Sequence, residues 1–187
     1  MAAGEKRYLA FLGRIAREKR VDRAVEIAIK AGMPLKIAAK VDPSDREYYE
    51  REIKPLLHHP LIEYIGEISE EQKPAFLGAA YAQIFPIDWP EPFGLVMIES
   101  MACGTPVVAF RNGSVPEIVE DGITGWIVDS EEQAVRSLQG LEGFDRHACR
   151  ARFEERFSAR RMAADYAHVY RRILARSAST IPLRASA

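Results

Sequence analysis

Long apolar runs are missing from this 187-residue chain. No stretch approaches the roughly 20 consecutive apolar residues that a membrane helix needs, so no integral membrane segment is expected. Cysteine is scarce. Cys103 and Cys149 stand far apart, in neither a CxxC nor a metal-ligand spacing, which suits a reducing, cytoplasmic setting. An excess of one charge is also absent. The chain has 26 Lys and Arg against 27 Asp and Glu, a formal net charge of −1. The overall field therefore offers no attraction to nucleic acid or to a membrane surface, and any basic site must be local. The opening residues, MAAGEKR, are too few and too charged for a signal peptide. No internal repeat or low-complexity block appears. Asp88 has no DxD partner and His58-His59 have no ligand-like company, so no metal site is expected.

What remains is an ordinary globular balance, 48% hydrophobic and 28% charged. The length allows one large domain or two small ones. Short apolar runs alternate with helical patterns along most of it. The runs 8–13, 35–40, 61–66, 81–86, 106–110 and 125–128 read as six strands. Val21, Ala24, Val25 and Ala28 share a helical face after the first. Tyr48, Tyr49 and Ile53 predict a helix after the second, Pro74 to Leu77 one after the third. The run Leu95-Val96-Met97-Ile98 predicts a buried helix with no polar face after the fourth. Four Ser-x-x-Glu/Gln patterns predict capping boxes at Ser44, Ser69, Ser114 and Ser130. Gly104 predicts a left-handed helix end, with Pro106 blocking continuation. A helix over 158–175 carries an apolar stripe of Met162, Tyr166, Val169, Tyr170 and Ile173 that should pack on something; residues 176–187 read as a loose tail.

Strand–helix alternation with apolar strands implies an α/β fold, a parallel sheet of about six strands covered by helices on both faces. In such three-layer sheets ligands lie beyond the carboxyl ends of the strands. That directs attention to loops 13–19, 40–43, 66–69, 87–94 and 111–114. The first holds Arg14 and Lys19, a cationic pair suited to phosphate oxygens, or simply a solubilising basic turn. The fourth leads through Phe93-Gly94-Leu95 into a helix start whose free N–H groups and positive dipole end suit an anion. Gly94 lets a ligand approach that backbone closely. Glu99, inside the apolar run, can accept two hydrogen bonds from a vicinal diol such as a ribose, or pair with a core arginine.

Together, FLGRIAREKR, EPFGLVMIESMACGTPVVAF and GSVPEIVEDGITGWIVD resemble the C-terminal domain of retaining family-4, or group 1, glycosyltransferases of the GT-B fold. The resemblance runs in order from about residue 7 to residue 175. Its core is an E-x7-E motif, Glu91 to Glu99 with Phe93-Gly94 inside, together with Arg14 and Lys19 five apart. The resemblance implies a Rossmann-like domain that binds a nucleoside-diphosphate sugar as donor and needs neither metal nor cofactor. Gly13, Arg14 and Lys19 would then lie at the diphosphate, Glu99 at the ribose hydroxyls, and Glu91 at the transferred sugar. The backbone of Phe93, Gly94 and Leu95 would lie near the sugar and β-phosphate. The base would sit against Val41 and the segment from Gly66 to Ile68. In Glu91, Arg14 and Lys19 the resemblance places the catalytic groups.

GT-B enzymes have two Rossmann-like domains with the active site between them, and this chain opens on the first strand of the second. The expectation is therefore the donor-binding half, over 7–175, inactive in transfer by itself. It would want an N-terminal domain as partner and leave an apolar patch where that domain leans. The full-length enzyme would be cytoplasmic or peripheral to a membrane. Two alternatives stay open: a nucleotide-sugar-binding or regulatory module without catalysis, and a sugar-nucleotide epimerase of similar fold. The second needs catalytic acids or histidines that the sequence does not display.

Overall fold

The computed structural model describes residues 8–180, with side chains through Arg176. The strands β1 (Leu9–Arg14), β2 (Leu35–Lys40), β3 (Ile62–Gly66), β4 (Ala82–Phe85), β5 (Val107–Phe110) and β6 (Gly125–Val128) form one sheet. Every pairing between them is parallel. Each predicted strand is present, with its ends shifted by no more than one residue. The helices are α1 (Val21–Ala31), α2 (Arg46–Tyr48), α3 (Lys73–Ala79), α4 (Leu95–Ala102), α5 (Val115–Ile118), α6 (Glu131–Gln139), α7 (Arg146–Phe157) and α8 (Ala159–Thr180). The result is the Rossmann-like α/β fold that the alternation implied.

Period-two alternation assigns the strand residues to two cores. Leu9, Phe11, Ile37, Ile84, Val108 and Phe110 pack under α1 and α6. Ala10, Ala38, Phe85, Val107 and Ala109 face the other way, toward α3, α4, α5 and α7. Because both faces are covered, β4 and β5 are buried along their whole length and read as unbroken apolar runs. Each fully buried Leu, Ile or Met stabilises the fold by about 1.5–3 kcal/mol through area removed from water.

The strand order is β3-β2-β1-β4-β5-β6. The chain winds outward from β1 to β3, then crosses back through α3 to lay β4 on the other side of β1. The order thus reverses between β1 and β4, and connections leave those two strands on opposite faces. A crevice opens beyond their carboxyl ends, at the usual ligand position of such sheets.

Several local expectations change. The helix predicted around Tyr48 and Ile53 is a series of single turns. A 3-10 turn (Pro43–Asp45) leads into α2, then a π-helical turn (Tyr49–Ile53) and a second 3-10 stretch (Lys54–His58). Pro55 supplies no N–H for the carbonyl of Arg51, so a regular ladder cannot run through. The wide turn still buries both Tyr48 and Ile53.

Of the four predicted capping boxes, Ser130 alone accepts a bond from its N3 amide, Gln133 N, at 3.3 Å. At Ser69 only the return bond forms, from Ser69 N to Gln72 Oε1 at 2.8 Å, and α3 begins later, at Lys73. Ser44 makes no cap, and the Ser114 hydroxyl donates instead to the Phe93 carbonyl at 2.8 Å. Asp145, unforeseen, caps α7 by accepting from His147 N and Ala148 N.

Helix α4 is not buried all round. Met97, Ser100 and Met101 face the core, but Leu95 is 64% exposed and Val96, Ile98 and Glu99 are half-buried. The helix's outer face, with Leu95, Val96 and Glu99, lines the crevice. Gly104 has φ 68°, and its amide caps α4 through Met101 O at 2.9 Å as expected. A Cβ there would meet Arg146 O at 2.7 Å, because α7 packs closely against that turn. The stripe on α8 is not packed away either. Met162, Tyr166, Val169, Tyr170 and Ile173 are all exposed. Helix α8 continues through Thr180, inside the segment read as a tail, while residues 181–187 and 1–7 lie outside the described ones.

Candidate functional site

Three loops meet at the crevice. Strand β1 ends with Gly13 and Arg14, and the loop after it tucks Ile15 and Ala16 into the core. A 3-10 turn (Arg17–Lys19) follows, and Arg20 then takes φ 52°, a left-handed conformation unusual for a residue other than glycine. The Arg20 side chain is held by Asp22 at 2.8 Å and Asp88 at 3.1 Å, which offsets that backbone strain. The reversal at Arg20 starts α1 and leaves Lys19 turned toward the loop after β4.

That second loop is tied to the first along its length. Asp88 N donates to Glu18 O at 2.9 Å, and Arg23 donates to Pro86 O at 3.1 Å. Glu91 N closes a three-residue turn onto Trp89 O at 2.8 Å, with Pro90 at its centre. Proline's fixed φ suits the middle of such a turn. Lys19 Nζ reaches Glu91 Oε2 at 2.5 Å, with the two side chains only 19% and 14% exposed. The indole Nε1 of Trp89 donates to the same oxygen at 2.9 Å, and its ring lies 5.1 Å from Lys19 Nζ.

The third loop, 111–114, props the second from below. Asn112 Nδ2 donates to Ile87 O at 2.9 Å, Ser114 N to Glu91 O at 2.9 Å, and Ser114 Oγ to Phe93 O. Gly113 sits so close to Glu91 that a Cβ on it would lie 2.3 Å from Glu91 O. Gly94 follows at φ 76° as the N-cap of α4, leaving the first amides of the helix without side-chain caps.

The expected site residues divide between two adjoining cavities. One, of about 380 Å³, is lined by Gly13, Lys19, Glu91, Phe93, Gly94 and Leu95, among others. The other, of about 340 Å³, is lined by Gly13, Arg14, Ile68, Lys73, Leu95 and Glu99, among others. They share Leu12, Gly13, Leu95 and Val96, so they are two ends of one groove running over the carboxyl end of β1. Each falls in the size range of small-molecule sites. Val41 lines a separate depression beside it, with Lys40, Tyr49 and Tyr64. Gly66, at φ 75°, ends β3 without lining either end of the groove.

Arg14 and Lys19, expected as a cationic pair, each meet acidic partners in the structure. Arg14 turns to Asp42 at 3.1 Å, Glu18 at 3.2 Å and Asp45 at 3.5 Å. Hydrogen bonds from Lys40 and then Arg14 hold the Asp42 carboxyl below its usual range. Glu99 pairs with Lys73 Nζ at 3.2 Å rather than with a core arginine, and Lys73 also meets Glu70 at 2.6 Å. Burial works against the charge of Lys73, but the bonds from Glu70 and Glu99 outweigh it and raise its pKa.

Trp89, Lys73, Gly113 and Ser114 thus stand at the candidate site although the sequence did not single them out for it. Trp89 stands two places before Glu91, and GSVPE had been noticed only as a motif and a helix cap. Among the described residues no group of three or more His, Cys, Asp or Glu stands together in a way that could hold a metal ion. No described helix is long and apolar enough to cross a membrane.

Alpha-maltose-1-phosphate synthase of Mycolicibacterium smegmatis is 29% identical over 187 residues, covering 89% of this chain and 48% of that protein. Among solved structures, sucrose-phosphate synthase of Thermosynechococcus elongatus superposes with a TM-score of 0.75 at 26% identity, over 91% of this chain and 46% of that one. HepE of Anabaena, solved in complex with UDP, has the same fold, with a TM-score of 0.75 at 21% identity over 88% of this chain and 49% of its own. The chain spans about half the length of these relatives. The family description "Glycosyl transferases group 1" matches residues 2–144, the region that contains all six strands and the whole groove, and the chain belongs to that family.

Proposed function

We propose that the groove binds a nucleoside-diphosphate sugar and that this chain is the donor-binding half of a retaining glycosyltransferase. The observation that carries the reading is the part-buried Lys19–Glu91 pair just before α4, beside a second acid, Glu99, in the adjoining cavity. The sugar lies in the cavity of Glu91, the diphosphate over Gly13 and the first amides of α4, and the ribose at Glu99. Lys19 serves the diphosphate. Arg14 joins it after leaving its acidic partners.

In the reaction the bond between the anomeric carbon and the β-phosphate oxygen breaks, the acceptor hydroxyl oxygen bonds the carbon on the same face of the sugar, and its proton passes to the departing phosphate oxygen. Charge grows on the departing diphosphate. Lys19, Arg14 and the amides of Gly94, Leu95 and Val96 stabilise it, which is the role of preorganised donors at a leaving group. No metal is asked to do this. The base lies toward Ile68, Gly66 and Val41, and the acceptor is brought by an N-terminal domain on the far side of the groove.

The test is titration calorimetry of the full chain with UDP, GDP and ADP and with the corresponding nucleosides, each in EDTA and again in Mg²⁺. Diphosphate should bind more tightly than nucleoside, with the preference shrinking at high salt and unchanged by EDTA. No binding, or binding that requires Mg²⁺, rules the reading out.

A further inference from the structure

We infer that Trp89 is the residue that positions Glu91, and that it takes over this task alone once a diphosphate has drawn Lys19 away. The inference rests on the donor-site reading above. In the structure Glu91 Oε2 accepts both Lys19 Nζ at 2.5 Å and Trp89 Nε1 at 2.9 Å. No bond among the described residues is made to the other oxygen, Oε1, so half of the carboxylate's acceptor capacity is left for a ligand. The Glu91 side chain is 14% exposed, so protein groups more than bulk water hold its orientation.

The two donors are not equivalent. Lys19 sits on a flexible stem and is a mobile cation, so a diphosphate in the same cavity competes for it directly. The indole N–H is neutral and gains nothing from a phosphate nearby beyond an ordinary hydrogen bond. It is also fixed in place. Pro90 sets the turn that closes Glu91 N onto Trp89 O, so the ring and the carboxylate are carried on one rigid tripeptide. That tripeptide is pinned at Glu91 O by Ser114 N, and the two residues just before it are held by Asp88 N on Glu18 O and Asn112 Nδ2 on Ile87 O. When Lys19 moves to the diphosphate, Glu91 keeps one donor on Oε2 and presents Oε1 to the sugar. The face of the indole, 5.1 Å from Lys19 Nζ, meanwhile guides the ammonium between its two positions.

A residue with that role affects the sugar and not the nucleotide. The experiment compares Trp89→Phe, which keeps a ring but loses the N–H, with Glu91→Gln and the double variant. Each is titrated with UDP and UDP-glucose, GDP and GDP-mannose, and ADP and ADP-glucose, using whichever pair the full chain binds. The quantity read is the ratio of nucleotide-sugar affinity to nucleotide affinity. Trp89→Phe is expected to bind the nucleotide within about twofold of the unaltered chain while the ratio falls about tenfold, the scale of one hydrogen bond to a charged group. Glu91→Gln should lower the ratio as much, and the double variant no further, because both changes remove one function. If Trp89→Phe weakens nucleotide and nucleotide-sugar equally, or leaves the ratio unchanged while Glu91→Gln lowers it, Trp89 is only structural and the inference is wrong. If Glu91→Gln leaves the ratio unchanged, or none of the three pairs binds, the donor-site reading itself falls and takes this inference with it.

Discussion

Arg14 leaves β1 at the groove yet faces away from its anion site, toward Asp42, Asp45 and Glu18. All four side chains are partly exposed, so water screens these pairs and each is weak. A diphosphate offers two full charges in place of this diffuse arrangement. The joint substitution Asp42→Asn, Asp45→Asn should therefore release Arg14 and tighten nucleoside-diphosphate binding about two- to fivefold, measured by calorimetry. Weaker binding would mean that the carboxylates hold Arg14 in its working position. Glu99 presents the opposite case, a half-buried acid with a single described cation, Lys73, at 3.2 Å. Glu99→Gln should weaken nucleoside-diphosphate binding by about 1–3 kcal/mol, the scale of a lost charged hydrogen bond. Lys73 has a raised pKa, so its pair stabilises the fold fully below the ordinary lysine value of 10.5 and loses that contribution as pH rises through the folded value. Across neutral pH the groove should therefore show no titration from Lys73, and Lys73→Met should remove its alkaline step in a stability profile.

At the scale of elements, the E-x7-E helix works because the segments around it are locked. Gly113 has φ 54°, and its missing side chain is what lets the backbone of Glu91 lie on it. Gly113→Ala would drive a methyl into Glu91 and strain the turn, costing about 1–3 kcal/mol. The loss should appear chiefly in nucleotide-sugar binding, since the loop can shift without unfolding the sheet; an unchanged affinity would show that the 111–114 loop does not support the site. At the other end of α4, Cys149 of α7 is fully buried, and burial pushes its thiol up to about 12. Native protein at pH 8 should leave Cys149 unreactive toward a thiol reagent, with reaction appearing only as α7 undocks in denaturant. Fast labelling without denaturant would mean that α7 is loosely held.

Considered whole, the molecule has an apolar stripe on α8 that is largely exposed among the described residues. Along α8, Tyr166, Tyr170, Ile173 and Leu174 are 54–69% exposed. So little of these side chains is buried that Ile173→Ser with Leu174→Ser should change unfolding stability by less than about 0.5 kcal/mol. The same pair should reduce binding of a hydrophobic dye. A large loss of stability would show that α8 packs more tightly than its exposure indicates. With an acceptor unheld, the chain by itself is expected to transfer no sugar, because holding both reactants supplies about 7–11 kcal/mol of such a barrier. A transfer assay on the purified chain with each nucleotide sugar and a panel of hydroxyl acceptors checks this, and robust transfer would overturn it.

What could be read directly along the chain was whatever depends on near neighbours. Apolar runs marked all six strands to within a residue, and their alternation with helical stretches implied the parallel sheet. The proline and glycine around Glu91 marked a loop running into a helix start, and the motif spacing placed the two acids on either side of it. Local signals failed where a distant group competed. Ser114 had the spacing of a helix cap, but the Phe93 carbonyl, 21 residues away, lay nearer to its hydroxyl. Pro55 broke a helix that hydrophobic spacing had predicted, because a missing N–H outweighs periodicity. The distant partners of the site's ionised side chains were decided by the tertiary structure. Lys19 and Glu91 are 72 residues apart, Arg14 and Asp42 28, and Lys73 and Glu99 26. A charge pairs with whichever opposite charge the fold brings within a few ångströms, and no spacing along the chain encodes that distance.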